Sequence, residues 1–152
     1  MINKKKIAVV IKTDWEYDDR LAKECISLSK FANVHLFINS SQNKETSGVT
    51  DYGVPYKSFH LKTRRWLPQS KLLIIKIIDF FLRVRNYLNE YDIIWAHEEA
   101  TFTIPIFFGK KCLWDLHEIP ENFNNLFGKL LFHLIENRSK KIIHANNLIQ
   151  YA

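Results

Sequence analysis

The stretch KIAVVIK, residues 6–12, decides the fold. Five apolar residues follow one another between lysines with no polar residue among them. A strand with one wet face alternates, so a continuous run reads as a strand covered on both faces, the pattern of a parallel sheet. The run is also too short for the core of a signal peptide, which makes this the first strand of the domain.

Outward from it the chain alternates strand and helix. Asp18 to Lys30 sets Leu21, Cys25 and Leu28 at helical spacing, with Arg20, Lys23, Glu24 and Ser27 on the other side. NVHLFI (33–38) returns to strand, SSQNKETSG (40–48) reads as a loop, and YKSFHL (56–61) is a shorter strand after a Gly-x-Pro turn. A long helix is predicted from about Gln69 to Glu90. Lys76, Asp79, Arg83, Asn86 and Glu90 give it one narrow polar stripe, so most of its length should be buried. DIIWAH (92–97) is a strand, ATFTIPIFFG (100–109) a short helix, and KCLWDL (111–116) a strand. LFGKLLFHLIENR (126–138) is an amphipathic helix, and KIIHAN (141–146) a last strand. Six strands with helices between most of them predict a single Rossmann-like, doubly wound α/β domain, mostly parallel, with helices on both faces.

Bulk composition agrees. A chain of 152 residues suits one domain with a real core. No apolar run reaches the length that spans a bilayer. Cys25 and Cys112 lie far apart within apolar patterns, as reduced core residues of a cytoplasmic protein would. The net charge of +6 is concentrated: between Lys57 and Arg85 eight Lys/Arg face one acid, Asp79, and the rest of the chain sums to −1. A patch of this kind suits an anionic partner.

In doubly wound sheets ligands bind beyond the carboxyl ends of the strands. Those ends carry Thr13-Asp14-Trp15-Glu16, His97-Glu98-Glu99, Asp115-Leu116-His117-Glu118 and His144-Ala145-Asn146-Asn147, while the strands behind them are apolar. The segment KTDWEYDDR (12–20) has no glycine, which argues against a dinucleotide or P-loop site. No Gly-x-Ser-x-Gly elbow exists for a serine hydrolase. His97, Glu98, Asp115, His117 and Glu118 supply donors enough for a metal, but in no metal-site spacing, so no metal is expected. No nucleic-acid-binding module is recognisable, and no nucleic acid is expected as a partner.

These residues carry a resemblance. DDRLAKECISLSKFANVHLFI (18–38) looks like the Asp-x-Arg-x-x-x-Glu-x-x-x-Leu helix and second strand of retaining GT-B glycosyltransferases of the group-1, family-4 kind. YDIIWAHE (91–98), CLWDLHEIPE (112–121) and SKKIIHANNLIQYA (139–152) resemble three further pieces of the same N-terminal, acceptor-binding domain, in family order. The resemblance implies that His117 contacts or polarises the reacting groups, with Asp115 and Glu118 orienting it or its loop. His97 and Glu98 would shape the acceptor pocket, Trp15, Glu16 and Arg20 would line the entry from strand 1, and Asn146 belongs to the same rim. Two departures accompany it. The Gly-Gly pair many members carry after strand 1 is missing, and the nucleotide-sugar half, with its basic pair and Glu-x7-Glu motif, lies in a C-terminal domain outside these 152 residues. The pairs Glu16/Glu24 and Glu90/Glu98 have that spacing by chance. NNLIQYA reads like the first turn of a helix cut short.

The resemblance therefore implies half an enzyme. It would bind a sugar or lipid-linked acceptor, hold no cofactor itself, and turn over only with a donor domain in the same or a separate chain. Arg64, Arg65, Trp66 and Arg85 would meet an anionic membrane surface on the inner, cytoplasmic face. Two other readings stand beside this one: a non-catalytic subunit that recruits a donor-domain chain to the membrane, and a stand-alone α/β anion-binding module.

Overall fold

A computed structural model describes residues 4–12, 18–39, 44–65, 73–116, 126–139 and 141–144. The elements are β1 (Lys6–Ile11), α1 (Asp19–Ser29), β2 (Asn33–Asn39), β3 (Thr46–Val49), β4 (Pro55–Phe59), α2 (Leu73–Leu88), β5 (Ile93–His97), α3 (Thr103–Phe108), β6 (Cys112–Leu116), α4 (Leu126–Arg138) and β7 (Lys141–His144). They form one sheet in the order β3-β4-β2-β1-β5-β6-β7. Every pairing is parallel except β3 with β4. Without β3, this is the doubly wound Rossmann order, in which the direction of winding reverses between β1 and its neighbour β5.

The continuous apolar runs do what their pattern requires. Along β1, Ala8 and Val10 enter one core with Phe80, Phe81 and Val84 of α2, Ile104 of α3 and Ile135 of α4. Ile7, Val9 and Ile11 enter the other with Leu21 and Cys25 of α1. Among the described residues, one α-helix thus covers one face and three cover the opposite face. Asp18 starts α1 by accepting the Leu21 N–H at 2.9 Å, which satisfies one of the donors a helix start leaves open.

Two details differ from the sequence expectation. Among the described residues the sheet has seven strands where six are read from the sequence, because TSGV at 46–49 pairs antiparallel with β4 where a loop is expected. β3 is an exposed edge strand held by backbone pairing, so it has no apolar signature to read. Its turn is built by Thr50 and Gly53. The Gly53 N–H donates to Thr50 O at 2.9 Å, Thr50 Oγ1 accepts from the Val54 N–H at 3.0 Å, and Gly53 takes φ +82°, a region that favours glycine.

The second difference is in α2. Ile77, Phe80, Phe81, Val84 and Leu88 are buried as expected. The polar stripe, however, does not face solvent along its length. Lys76 is buried, and Asp79 accepts from Thr63 N–H, Thr63 Oγ1 and Arg83 Nε at 2.8–3.0 Å. Arg83 reaches on to Glu45 beside β3 at 2.8 Å. The outward side instead carries Ile74, Ile75, Ile78 and Leu82, with Ile74 62% exposed.

Candidate functional site

Strand parity builds the site. In β5, Ile94 and Ala96 point into the three-helix core, so Trp95 and His97 point toward α1. In β6, Cys112, Trp114 and Leu116 enter that same core, so Asp115 also faces α1. His97 and Asp115 are direct register partners at the carboxyl ends of adjacent parallel strands. From α1, Arg20 and Glu24 sit one turn apart and meet them.

The four side chains form a closed polar cluster. Arg20 Nε donates to Glu24 Oε1 and its Nη2 to Asp115 Oδ2, both at 2.9 Å. His97 Nε2 lies 3.6 Å from Glu24 Oε2, and its Nδ1 lies 3.7 Å from Asp115 Oδ2. Asp115 and His97 are buried, whereas the Arg20 side chain keeps 45% of its surface. Burial pulls the Arg20 pKa down, but the hydrogen bond to Glu24 and the two carboxylate charges outweigh it and hold it above its ordinary value. The Trp95 indole stacks on the His97 ring, with centroids 5.4 Å apart and planes 14° from parallel. His97 is thereby fixed on one side by a ring and on the others by carboxylates.

Next to this cluster the chain after β5 is locked in an unusual shape. Glu98 takes φ +67°, rare for a residue with a side chain. Its N–H donates to Asp115 O at 3.0 Å, and its carbonyl accepts from Trp114 Nε1 at 3.1 Å and from the Thr101 N–H at 3.2 Å. Thr101 Oγ1 lies 2.8 Å from both the His97 and Glu98 carbonyls. Trp114 is fully buried, and this bond gives its single donor a partner. Non-glycine backbone in this region costs about 1–3 kcal/mol and persists where surrounding contacts over-determine it, as they do here.

Of the residues expected at the site, the structure brings Arg20, His97 and Asp115 together and places Glu98 on the adjoining turn. Arg20 lies in the first turn of α1, on the helix where the sequence pattern sets it. His117, Trp15, Glu16, Glu118, Asn146 and Trp66 lie outside the described residues. Arg64 and Arg65 close a short 3-10 turn, Lys62–Arg65, and their side chains also lie outside what is described. Arg85 is exposed in the last turn of α2. Glu24 is the residue that sequence reasoning missed: it reads as the solvent side of α1, yet its four-residue step from Arg20 carries it to His97.

Glu24, His97 and Asp115 present ligand atoms within 4.8 Å of one another, close enough for a metal ion. The Arg20 guanidinium already bonds one oxygen of each carboxylate, so a cation occupies the position where a metal would draw charge. The donor set fits an arginine-centred network better than a metal centre. Neither thiol offers an alternative nucleophile: burial pushes both Cys25 and Cys112 up to about 12, with Glu24 and Asp18 adding to the effect at Cys25.

The class this geometry defines is a doubly wound α/β domain with a polar site on its carboxyl rim. No protein-family profile matches the chain, and no curated protein does. Solved structures do share its fold. A segment of sucrose-phosphate synthase from Thermosynechococcus elongatus superposes with a TM-score of 0.67 at 12% identity, over 92% of this chain and 76% of that one. A longer chain of the same enzyme gives 0.63 at 11% identity, over 91% of this chain and 42% of that one. Trehalose-6-phosphate synthase from E. coli bound with UDP-2-fluoro glucose gives 0.57 at 17%, over 87% and 38%. The chain therefore shares its α/β fold with domains of these enzymes, and it spans about two fifths of the two longer proteins.

Proposed function

We propose that this chain is the N-terminal, acceptor-side half of a nucleotide-sugar-dependent GT-B glycosyltransferase, of the retaining family-4 kind, in bacterial polysaccharide or glycolipid synthesis. The observation that carries the reading is the convergence of Arg20, Glu24, His97 and Asp115 at the carboxyl ends of β5 and β6. A cation bridging two carboxylates against a buried imidazole is a preorganised polar wall of the kind that orients hydroxyl groups. His117 follows Asp115 by two residues and is the residue expected to contact the reacting groups, with Asp115 positioning the segment that carries it. Trp15, Glu16, Glu98, Glu118 and Asn146 complete the acceptor side in this reading. The nucleotide sugar binds the donor domain, in the same or a separate chain, because the leaving diphosphate needs neutralising from the other wall of the cleft.

The same chain docks on the cytoplasmic leaflet through α2. Ile74, Ile75, Ile78 and Leu82 are exposed on one side of a helix that ends at Arg85 and follows the basic segment with Arg64 and Arg65. Apolar side chains flanked by cations suit an anionic interface, each nearby cation contributing about 1 kcal/mol. Among the described residues no helix is long and apolar enough to cross a membrane. The exposed stripe also favours a second reading, a recruiting subunit for a separate donor chain.

The test is a transfer assay with labelled nucleotide sugars and membrane acceptor extracts. The complete enzyme should transfer and the 152-residue chain alone should not. Multiple turnovers by the chain alone would remove the half-enzyme reading, and no transfer or donor hydrolysis by the complete enzyme would remove the activity. Co-sedimentation with phosphatidylglycerol vesicles should fall at least tenfold in Ile78→Glu/Leu82→Glu; unchanged binding would refute the docking face.

A further inference from the structure

The apolar face of α2 does not stop at α2. It continues over α3 and α4, which share that face of the sheet. Phe107 of α3 is 69% exposed, Leu130 of α4 is 70% exposed, and Leu134 is exposed beside it. Leu130 and Leu134 are one turn apart on the ridge that ends at Arg138. Arg138 Nη1 donates to the Ile106 carbonyl at 3.1 Å, which turns that ridge toward α3. The Phe107 ring stacks on Phe81 of α2 with centroids 4.6 Å apart, and Phe81 comes one turn after Ile78. The exposed apolar residues of the three helices are therefore neighbours. Phe81, Ile104 and Ile135 on their inner sides already fill the core, so the outer residues answer to something else. On α1, across the sheet, Ile26 is the one large apolar residue left exposed. Contiguous apolar surface of this kind marks contact with a partner or a membrane.

Charge decides between the two. Residues 103–111 hold Lys110 and Lys111, both exposed, and no acid. Residues 126–138 hold Lys129 and Arg138, also exposed, and one acid, Glu136, whose carboxylate lies 3.8 Å from His133. In an isologous contact with a second copy the patch meets itself, and these cations would face their own kind. An anionic leaflet supplies the opposite charge and takes up the apolar side chains at its headgroup boundary.

We infer that Phe107, Leu130 and Leu134 belong to the membrane contact, so that α3 and α4 lie on an anionic leaflet together with α2. The inference rests on the docking reading above and fixes how the domain sits. All three helices face lipid, and the sheet runs along the surface. The cluster of Arg20, Glu24, His97 and Asp115 stays on the far side of the sheet, with α1.

The experiment is co-sedimentation of the 152-residue chain with phosphatidylglycerol vesicles, paired with fluorescence quenching by brominated lipid. Leu130→Glu/Leu134→Glu should lower binding about tenfold or more. Should that variant fail to fold, Phe107→Ser and Lys129→Glu carry the same test from exposed positions. For quenching, a fluorophore is attached at Leu130→Cys or, across the sheet, at Ile26→Cys. Cys25 and Cys112 are buried, so the introduced thiol is the one that reacts. The label at 130 should be quenched by the vesicles and the label at 26 should not. Equal quenching at both positions, or none at 130, overturns the inference. So does a dimer in lipid-free sedimentation equilibrium that Leu130→Glu/Leu134→Glu dissolves, because the belt would then join two copies. Vesicle binding that falls in Ile78→Glu/Leu82→Glu but not in the α4 variant overturns the inference and leaves the α2 face standing. The reverse pattern keeps the inference and removes α2 from the docking reading.

Discussion

Replacing Arg20 by Met keeps the apolar stem and deletes the guanidinium that joins Glu24 to Asp115. Asp115 is 1% exposed, but the Arg20 side chain keeps 45% of its surface. Breaking a fully buried pair costs about 3–5 kcal/mol, and breaking an exposed one about 0–1 kcal/mol. With one partner buried and the other half in water, the loss should be about 2 kcal/mol. For a chain of this size each kcal/mol moves the melting midpoint by about 2–4 °C, so a fall of about 4–8 °C is expected. Asp115→Asn keeps the shape and removes the charge. Once Arg20 is gone, the uncompensated carboxylate is the main cost, and neutralising it should recover about 1.5 kcal/mol in the double variant. Independent sites add within about 0.3–0.5 kcal/mol. Urea denaturation of the four chains at pH 7 measures the coupling. Additivity within that margin would refute the view that Arg20 and Asp115 act as one unit, and with it the positioning of the rim by this network.

Two further outcomes follow from single residues. Burial of Asp79 raises its pKa, but the bonds from Thr63 and Arg83 outweigh that and hold it below the ordinary carboxylate value. Its contribution is thus present above the unfolded pKa of about 4 and lost as pH falls through the folded value. Asp79→Ala should cost about 2 kcal/mol at pH 7 and progressively less below pH ~4; a penalty independent of pH down to ~2 in denaturation curves would contradict the assignment. Glu98→Gly should relieve the φ of +67° and raise stability by about 0.5–1 kcal/mol in thermal melts. A destabilised variant would mean that the backbone there is unstrained.

How much of this the sequence discloses depends on whether burial or backbone pairing forms the element. β1, β2, β5 and β6 announce themselves because both faces are covered, and the rim residues Asp115 and His97 stand out against those apolar runs. β3 has no such signal: its residues face solvent, and only the pairing with β4 makes TSGV a strand. In α2 the spacing of Lys76, Asp79 and Arg83 is read correctly as a stripe, but which side of the helix it takes is set by partners distant in sequence, Thr63 and Glu45. Periodicity fixes which residues share a face and is silent on where the face points. Glu24 escapes for the same reason, since a charged residue beside a buried one reads as solvated until the strand ends it meets are known.

The site itself follows from three parities acting together. Trp114 and Leu116 enter the three-helix core, so the residue between them must face α1. Ala96 does the same for His97, and the parallel register sets His97 opposite Asp115. A one-residue slip of β5 would turn the His97 imidazole into the apolar core and Ala96 toward α1. The slip would also remove the Glu98 N–H from the Asp115 carbonyl and the Glu98 carbonyl from Trp114 Nε1. Core packing and polar chemistry therefore specify the same register. The Trp114 indole is where they meet, its ring fully buried in one layer and its N–H holding the turn that carries Glu98 at the rim of the other.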